Sequence, residues 1–350
     1  MTRLIKGRGA LSNPAGRFAR RDVEPLEPSD AAERVLTELK PDRSRSIITT
    51  NQSPDVPFSQ SINPYRGCEH GCIYCFARPT HAYLDLSPGR DFETKIHFKP
   101  DAVKLLRREL AEPGYRVSPI ALGTNTDPYQ PVEKQLGLTR AILELLLETR
   151  HPVTLVTKGA LILRDLDLLV ALAESNLVSV NISMTMLDPE LKRRLEPRTA
   201  GPEKRLAMIR ELSSNGVPTS VLAAPVIPAI NDHELEAILA RSAAAGARWA
   251  AYVLLRLPHE VAALFAEWLQ QHYPLRAEHV LGLIRQMRAG SWNDARFHSR
   301  KIGCGPFAEL IRQRFERACR RHGLNQQGSP ELDTTSFQKP APESGQLALL

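Results

Sequence analysis

The sequence of 350 residues lacks the long apolar run and the apolar leader that mark membrane and secreted proteins. No stretch approaches the ~20 consecutive apolar residues that a membrane-spanning helix needs, and the basic N-terminal stretch has no apolar segment like that of a secretory signal. Cysteine is also scarce, with five residues. We therefore predict a cytoplasmic protein, in which clustered cysteines serve metal or redox chemistry rather than a disulfide framework.

Acidic residues are missing from the N-terminal flank, and this absence makes the net charge of +7 uneven. Residues 1–21 carry six Arg or Lys and no acid, and residues 276–321 carry eleven Arg or Lys against four acids. Such flanks suit contact with a polyanion, DNA or RNA. A solvated tail and an Arg-rich surface helix explain the same pattern equally well, so both interpretations stay open.

Six apolar, often β-branched runs alternate with amphipathic helical patterns between residues 56 and 275. Nearly continuous apolar strands indicate a parallel sheet that is buried on both faces, and the alternation implies right-handed βαβ crossovers. We predict an α/β fold, a partial (β/α)6 barrel of the TIM type, with a doubly wound open sheet as the alternative. Its active site is expected at the carboxyl ends of the strands. The runs lie at residues 61–67, 119–125, 153–159, 177–185, 217–227 and 248–257.

The segments on either side of this core lack a sustained apolar period. Residues 1–55 mix Pro, Gly, Ser, Asp and Arg, which predicts a basic, largely disordered extension. Residues 276–323 are predicted to form a basic helical segment, and residues 324–350 are predicted to form a disordered tail. An additional strand and helix are predicted over residues 93–110.

Three cysteines, Cys68, Cys72 and Cys75, lie within the stretch GCEHGCIYCFARP. A structural zinc site normally takes four ligands, and His70 is the only local candidate for the fourth. An iron–sulfur cluster fits better, because thiolates are its usual ligands. Three thiolates hold three irons of a [4Fe–4S] cube and leave the fourth iron open, and an open position is typical of a catalytic metal site.

The CxxxCxxC spacing, with the aromatic residue Tyr74 before the last cysteine, resembles the radical S-adenosylmethionine superfamily. The stretches SINPYRGCEHGCIYCFARPTH, TNTDPYQPVEK and APVIPAINDHE are similar to the branch that contains spore photoproduct lyase and relatives described as DNA repair photolyases. The resemblance implies a [4Fe–4S] cluster, S-adenosylmethionine as the second cofactor, and an electron donor such as flavodoxin or ferredoxin. It also implies reductive cleavage of S-adenosylmethionine to a 5′-deoxyadenosyl radical.

The resemblance further implies that residues at the strand ends bind the cofactor. Simpler roles compete at several of them: the Asn-Thr-Asp-Pro segment at residues 125–128 suits a turn, the hydroxyl of Ser183 suits a backbone partner, and Arg198 suits a surface position. The candidate cofactor-binding residues are Tyr74, Thr124, Asn125, Asp127, Lys158, Ser183, Arg198 and Ile227.

Two residues are candidates for a hydrogen donor to a substrate radical, Cys304 and Tyr129. Cys304 precedes a helix that Pro306 is suited to open, and a helix N-terminus favours a thiolate; an ordinary loop thiol is the alternative. The donor cysteine of the lesion lyase lies at the end of the strand that here reads ALGTN, where no cysteine stands.

Three functions remain in competition. The first is a radical S-adenosylmethionine enzyme that acts on a nucleic-acid or other anionic substrate, in the manner of a DNA repair lyase. The second is an enzyme of the same chemistry that modifies a protein or peptide. The third is a non-enzymatic nucleic-acid-binding protein with a structural metal.

Overall fold

The structure, a computed structural model, describes residues 5–18, 36–294, 296–328 and 330–341. Ten β-strands lie in these ranges: β1 (Glu38–Pro41), β2 (Ile48–Thr50), β3 (Gln60–Ile62), β4 (Tyr65–Arg66), β5 (Lys95–Phe98), β6 (Ile120–Leu122), β7 (Val153–Thr157), β8 (Val178–Ser183), β9 (Thr219–Val226) and β10 (Trp249–Leu254).

The same ranges hold twelve α-helices: α1 (Asp91–Thr94), α2 (Ala102–Ala111), α3 (Glu133–Leu136), α4 (Leu138–Glu148), α5 (Leu166–Glu174), α6 (Pro189–Leu195), α7 (Pro202–Ser214), α8 (Leu235–Ala244), α9 (Val261–His272), α10 (Ala277–Gln286), α11 (Ser299–Ile302) and α12 (Gly305–Arg321). Short 3-10 helices cover Arg78–Leu84, Ala160–Asp165 and Asp232–Glu234. Within the described ranges, no helix is both long and apolar enough to cross a bilayer.

The main sheet has the strand order β10-β9-β8-β7-β6-β3-β2. Six of its strands are mutually parallel, namely β3, β6, β7, β8, β9 and β10. The seventh strand, β2, pairs antiparallel with β3 at the edge of the sheet. Five of these strands lie within the predicted runs, β3 begins one residue before the run at 61–67, and helices follow most of the strands as the sequence pattern indicated. The α/β architecture with a parallel sheet is therefore confirmed, and the carboxyl ends of all six strands meet at one edge.

Apolar side chains fix the strands in this arrangement. In β7, Val153 and Leu155 are fully buried while Thr154 between them is partly exposed, and β8 buries Val180 and Ile182 completely. The amphipathic helix α4 contributes Ile142 to the same core. A large core beneath the sheet leaves the loops at the carboxyl edge free to carry function.

The additional strand predicted over residues 93–110 is β5, with α2 after it, but it does not join the main sheet. It pairs in parallel with β1 and antiparallel with β4 to form a separate sheet of three strands. Because β4 follows β3 after only two residues, this small sheet stands directly beside the start of the cysteine-bearing loop.

The flanking segments differ from the disorder that composition predicted. Residues 5–18 and 36–55 pack on the core, and the backbone amides of Ile47 and Ile48 donate to the Glu109 carboxylate at 2.7 and 3.0 Å. The C-terminal segment packs as far as residue 341, with the amide of Gln338 donating to the carbonyl of Thr149 at 2.9 Å. The prediction is wrong for these ranges because carboxylates and carbonyls distant in sequence satisfy their polar backbone. Residues 1–4, 19–35 and 342–350 lie outside the described residues.

Candidate active site

The cysteine loop, residues 67–75, begins directly after β4 at the carboxyl end of β3. Gly67 and Gly71 take left-handed backbone conformations (φ +83° and +67°), which glycine adopts without steric cost. The amide of Cys75 donates to the carbonyl of Cys72 at 3.2 Å, and the amide of Ile73 donates to the carbonyl of Leu195 at 3.2 Å. Tight turns and an anchor to α6 thus shape the loop that carries the three thiols.

The three thiols of this loop are free and largely withdrawn from water. Cys68 and Cys72 are buried and Cys75 is half-buried. Burial raises the pKa of Cys72 to about 12 and also raises the pKa of Cys68 and Cys75. The negative charge of Asp127, and then those of Cys72 and Cys75, raise the pKa of Cys68 further. Three adjacent thiols that resist ionisation need a positive centre to become thiolates together.

This donor set fits a polynuclear cluster better than one ion. Among the described residues, no three His, Cys, Asp or Glu side chains are grouped around a position for a single metal ion. A [4Fe–4S] cube binds each thiolate through a different iron, so its ligands are spread around the cube. Cys68, Cys72 and Cys75 are near enough to influence one another's ionisation, they come from one loop, and all are sulfur donors.

A buried ion pair supports the loop from one side. Arg78 and Glu93 are both fully buried and pair through Nη2 and Oε1 at 2.6 Å. Arg78 also donates through Nε to the carbonyl of Cys72 at 3.0 Å and through Nη1 to the carbonyl of Gly89 at 2.8 Å. Replacing one member of such a pair leaves an uncompensated buried charge, so Glu93 and Arg78 act together to position the loop.

The N-terminal segment, residues 5–18, crosses the same loop. The amides of Gly9 and Ala10 donate to the two carboxylate oxygens of Glu93 at 3.0 and 2.8 Å. Arg8 donates to the carbonyl of Glu93 at 2.8 Å. Ala10 packs in one apolar cluster with Cys72. A segment about 60 residues before the cysteines therefore covers part of their loop.

Tyr74, the aromatic residue of the cysteine motif, is buried and directs its hydroxyl to Glu196. Glu196 is fully buried and pairs with Arg205, while Thr185 donates to it at 2.6 Å. Burial opposes the ionisation of Glu196, but Arg205, Lys158 and the hydrogen bonds from Thr185 and Tyr74 together lower its pKa to about 2. The buried carboxylate of Glu196 thus fixes the position of the Tyr74 side chain.

Lys158 directly follows β7 and contributes a positive charge to the site. Its backbone amide donates to Asp127 at 2.8 Å, whereas its ammonium forms no hydrogen bond or ion pair with the described residues. The positive charge of Lys158 lowers the pKa of Cys72, Cys75 and Glu196, which places the ammonium near all three. A half-buried ammonium without a carboxylate partner favours an anionic ligand at this point.

Asp127 ties two strand ends together. One carboxylate oxygen accepts from the Thr157 hydroxyl at 2.6 Å, and the other accepts from the Lys158 amide and contacts Nδ1 of His70 at 3.2 Å. Burial raises the pKa of Asp127, but His70, Thr157 and Lys158 outweigh it and hold the pKa at about 2. His70 is itself buried, and it pairs with Asp127 in the described structure.

Thr124 and Asn125 follow β6 and meet Asn63, which follows β3. The side-chain oxygen of Asn63 accepts from the Asn125 amide at 3.1 Å and lies 3.5 Å from the Thr124 hydroxyl. The Asn125 side chain is exposed. The two interpretations of this segment, a turn and a cofactor-binding site, are therefore compatible, because the turn presents these polar groups at the carboxyl edge of the sheet.

The remaining candidates for cofactor binding lie at the same edge, where the polar groups of Ser183 and Arg198 already have partners. Ser183 donates its hydroxyl to the carbonyl of Ala224 at 3.3 Å. Arg198 pairs with Glu69 at 3.0 Å. Ile227 is fully buried in the apolar cluster that contains Cys72 and Tyr74. The structure thus places an apolar wall, Ile227, beside the cysteine loop.

The two candidate hydrogen donors lie apart from each other. Tyr129 is buried in the main core, where burial and then Asp165 and Glu133 raise its pKa. Cys304 is half-buried before α12, which begins with Gly305 and Pro306, and its thiol lies 3.5 Å from the carbonyl of Met287. The predicted helix start at Pro306 is confirmed. Both donor roles stay predictions.

A groove of about 480 Å³ opens beside the cysteine loop. Its wall includes Glu69, between Cys68 and His70 in the chain, and its apolar part includes Leu39 and Val132. Glu69 accepts from Thr37 at 2.6 Å, and its amide donates to the buried Gln130 at 2.9 Å. The groove is thus lined in part by a residue of the cysteine loop, Glu69.

Several residues that shape the site were not found from the sequence. Arg78 and Glu93 are ordinary charged residues in short helices and Glu196 directly follows α6, so only their complete burial reveals them. Glycine at position 9, within the stretch KGRGA, was the one visible signal near the N-terminus, because clustered glycines mark a close backbone approach.

Comparisons with known proteins agree with this geometry. Residues 62–241 match the model of the Radical SAM superfamily. An uncharacterised protein of Mycobacterium tuberculosis is 42% identical over 221 residues, which are 63% of this chain and 65% of that protein. An uncharacterised protein of Methanocaldococcus jannaschii is 28% identical over 173 residues, 49% of this chain and 62% of that protein. The chain thus spans less than two thirds of the length of these relatives.

Two solved structures share the fold. A spore photoproduct lyase mutant superposes with a TM-score of 0.59 at 16% identity, covering 88% of this chain and 87% of that one. A spore photoproduct lyase with bound AdoMet and dinucleoside spore photoproduct gives a TM-score of 0.57 at 14% identity, covering 82% and 80%. At these identities the likeness shows the fold alone.

The class defined by the parallel sheet and the three-cysteine loop is that of the radical S-adenosylmethionine enzymes. Since the family model covers half of the chain, the protein belongs to this superfamily. The cofactors of the superfamily are a [4Fe–4S] cluster and S-adenosylmethionine, as the resemblance implied.

Proposed function

We propose that the protein binds a [4Fe–4S] cluster through Cys68, Cys72 and Cys75 and reductively cleaves S-adenosylmethionine to act on a nucleic-acid or other anionic substrate. The single observation that carries the proposal is the group of three free thiols on one loop, next to the ammonium of Lys158, which has no hydrogen bond or ion pair among the described residues. When bound, the cluster supplies one electron, and S-adenosylmethionine is the source of the 5′-deoxyadenosyl radical.

The chain's own residues have separable roles in this proposal. Lys158 receives the carboxylate of S-adenosylmethionine, because a half-buried ammonium without a partner gains most from an anion. Ile227 and the ring of Tyr74, which share an apolar cluster with Cys72, form the apolar side of the proposed cofactor site. Thr124 and Asn125 offer hydrogen-bonding groups at the end of β6. Asp127 positions the loop after β7, since all of its accepting capacity is used within the protein.

The substrate class rests on charge. Basic side chains are concentrated in the flanks, and Arg198 and Lys134 line the groove beside the cysteine loop. Phosphates and carboxylates are the groups that such side chains bind. An electron donor such as flavodoxin or ferredoxin completes the proposed system, because the cluster must be reduced before each cleavage.

The test is anaerobic reconstitution followed by reduction with dithionite. We expect brown protein with about four irons per chain and reductant-dependent release of 5′-deoxyadenosine. Turnover with deuterated nucleic-acid and peptide substrates then shows which of them transfers label into 5′-deoxyadenosine. A colourless protein that binds zinc and releases no 5′-deoxyadenosine contradicts the proposal and supports the non-enzymatic alternative.

A further inference from the structure

The rim of the sheet beside β10 carries two arginine–phenylalanine pairs. The guanidinium carbon of Arg256 lies 4.8 Å from the centre of the Phe76 ring, and that of Arg300 lies 5.0 Å from the centre of the Phe297 ring. Phe76 is 43% exposed and Phe297 is 54% exposed. We treat these four residues and Lys301 as one surface, the Arg–Phe rim, because the charges of Arg256, Arg300 and Lys301 are near enough to act on one another.

The Arg–Phe rim is continuous with the cysteine loop. Phe76 directly follows Cys75 in the chain. Arg256 is the second residue after the end of β10, at the carboxyl edge of the sheet. On the other side of the rim, Arg300 pairs with Asp55, and Lys301 donates to the backbone carbonyl of Asp55. A ligand on the rim therefore reaches the residues next to the proposed cluster.

Positive charge exceeds negative charge across the rim. Arg256, Arg300 and Lys301 act on one another electrostatically, and Asp55 is the acidic residue that they share. Burial and then the charge of Arg300 lower the pKa of Arg256. Within the described ranges, the guanidinium of Arg256 forms no hydrogen bond or ion pair, and it lies over the Phe76 ring. An unpaired guanidinium here is suited to receive a phosphate.

We propose that the Arg–Phe rim binds a single strand of nucleic acid, with bases stacked on Phe76 and Phe297 and phosphates on Arg256, Arg300 and Lys301. Single strands favour a surface that alternates aromatic faces with cations, because each unpaired base offers a face for stacking and each nucleotide a phosphate. An acidic peptide has the charge but lacks regularly spaced planar groups. The proposal rests on the proposed function and extends it, because it names single-stranded nucleic acid as the substrate class and the Arg–Phe rim as the surface that binds it.

The experiment measures binding separately from cleavage. Cluster-loaded protein is titrated anaerobically into a fluorescently labelled oligothymidylate of about 12 nucleotides, and anisotropy is recorded at salt concentrations between about 50 and 200 mM. The variants are Arg256→Gln, Phe76→Ala and Phe76→Tyr. Arg241→Gln is the control, because Arg241 is an exposed cation on α8 that pairs with Glu203 away from the rim.

We expect Arg256→Gln to weaken binding about 5- to 30-fold and to reduce the salt slope by about one phosphate contact. Phe76→Ala is expected to weaken binding by about 5- to 100-fold, whereas Phe76→Tyr retains stacking and binds as the original does. Arg241→Gln should bind unchanged. The proposal is overturned if both Arg256→Gln and Phe76→Ala behave like Arg241→Gln, or if a labelled polyglutamate peptide binds more tightly than the oligonucleotide.

Release of 5′-deoxyadenosine without oligonucleotide distinguishes the two proposals. Protein that releases it but shows no rim-dependent binding supports the proposed chemistry and contradicts the rim. Protein that binds the oligonucleotide through the rim but releases none supports the rim and contradicts the chemistry. Phe76 is exposed, so its substitution keeps the binding test valid even where Arg256→Gln lowers the iron content.

Discussion

A Cβ atom built on Gly9 would lie 1.9 Å from the carbonyl oxygen of Gly71, so the N-terminal segment is in direct backbone contact with the cysteine loop. No side chain fits in that space. The carboxylate of Glu93 holds the contact closed by accepting from the amides of Gly9 and Ala10. The geometry of the cysteine loop therefore depends on residues far from it in the sequence.

Gly9→Ala is expected to displace the N-terminal segment from the cysteine loop, because neither backbone can yield without losing hydrogen bonds. We expect a loss of roughly 1–3 kcal/mol in the free energy of unfolding and faster loss of the iron–sulfur absorbance in air. Gly282→Ala is the matched control, since a Cβ there meets nothing within 4 Å. A Gly9→Ala protein as stable as the control would contradict the contact.

Each of Cys68, Cys72 and Cys75 is expected to be required for the cluster, because no other described cysteine lies on their loop. Replacement of any one by Ala should remove most of the iron and all release of 5′-deoxyadenosine. Cys304→Ala should keep the iron, since that thiol precedes α12 and contacts Met287. Iron analysis and electron paramagnetic resonance measure both outcomes.

His70→Ala separates the ligand question from stability. His70 contacts Asp127 at 3.2 Å, so its removal takes a partner from a buried carboxylate. We expect normal iron content with a lower free energy of unfolding, by about 1–3 kcal/mol. Loss of the cluster together with the imidazole would show that His70 is a ligand and would overturn the three-cysteine assignment.

The repeating part of the fold was predictable from the sequence, whereas its supports were not. Runs such as VTLVT and VSVNIS bury their apolar residues locally, so periodicity alone located β7 and β8. The separate sheet formed by β1, β5 and β4 was not predicted, because its two pairings join residues about 60 and about 30 apart and leave no local pattern.

The site divides in the same way. The spacing of the three cysteines is local and specific, so sequence alone located the loop. The docking of Gly9 and the burial of Glu93 depend on contacts across more than 80 residues, and a charged residue in a helix gives no sign of complete burial. The N-terminal segment was therefore predicted as disordered although residues 5–18 pack on the loop.

Glu196→Gln tests the buried charge beneath Tyr74. It leaves Arg205 without its partner, and removing one member of a buried pair costs about 3–5 kcal/mol. Glu203→Gln is the control, because that carboxylate is exposed and its pair with Arg241 is worth about 0–1 kcal/mol. Equal losses in the two variants, measured by urea unfolding, would contradict the role of Glu196.

The same residue predicts a pH dependence. The pKa of Glu196 is lowered from its ordinary value of 4.5 to about 2, so its contribution to stability is complete above pH 4.5 and is lost as the pH falls towards 2. The free energy of unfolding should therefore fall more steeply between pH 4.5 and 3 in the original protein than in Glu196→Gln. Parallel curves would show that Glu196 is not the titrating group.

Lys158→Ala is expected to weaken the binding of S-adenosylmethionine about 10- to 150-fold, the effect of removing a hydrogen bond between charged groups. Because Lys158 also lowers the pKa of Cys72, the iron content is measured first, and affinity is compared at equal iron. Lys104→Ala is the control, since that lysine is exposed on α2. Affinity can be followed by the change that the cofactor causes in the electron paramagnetic resonance spectrum. Unchanged affinity at full iron content would assign Lys158 to the substrate instead, because its unpaired ammonium would then be left for another anion.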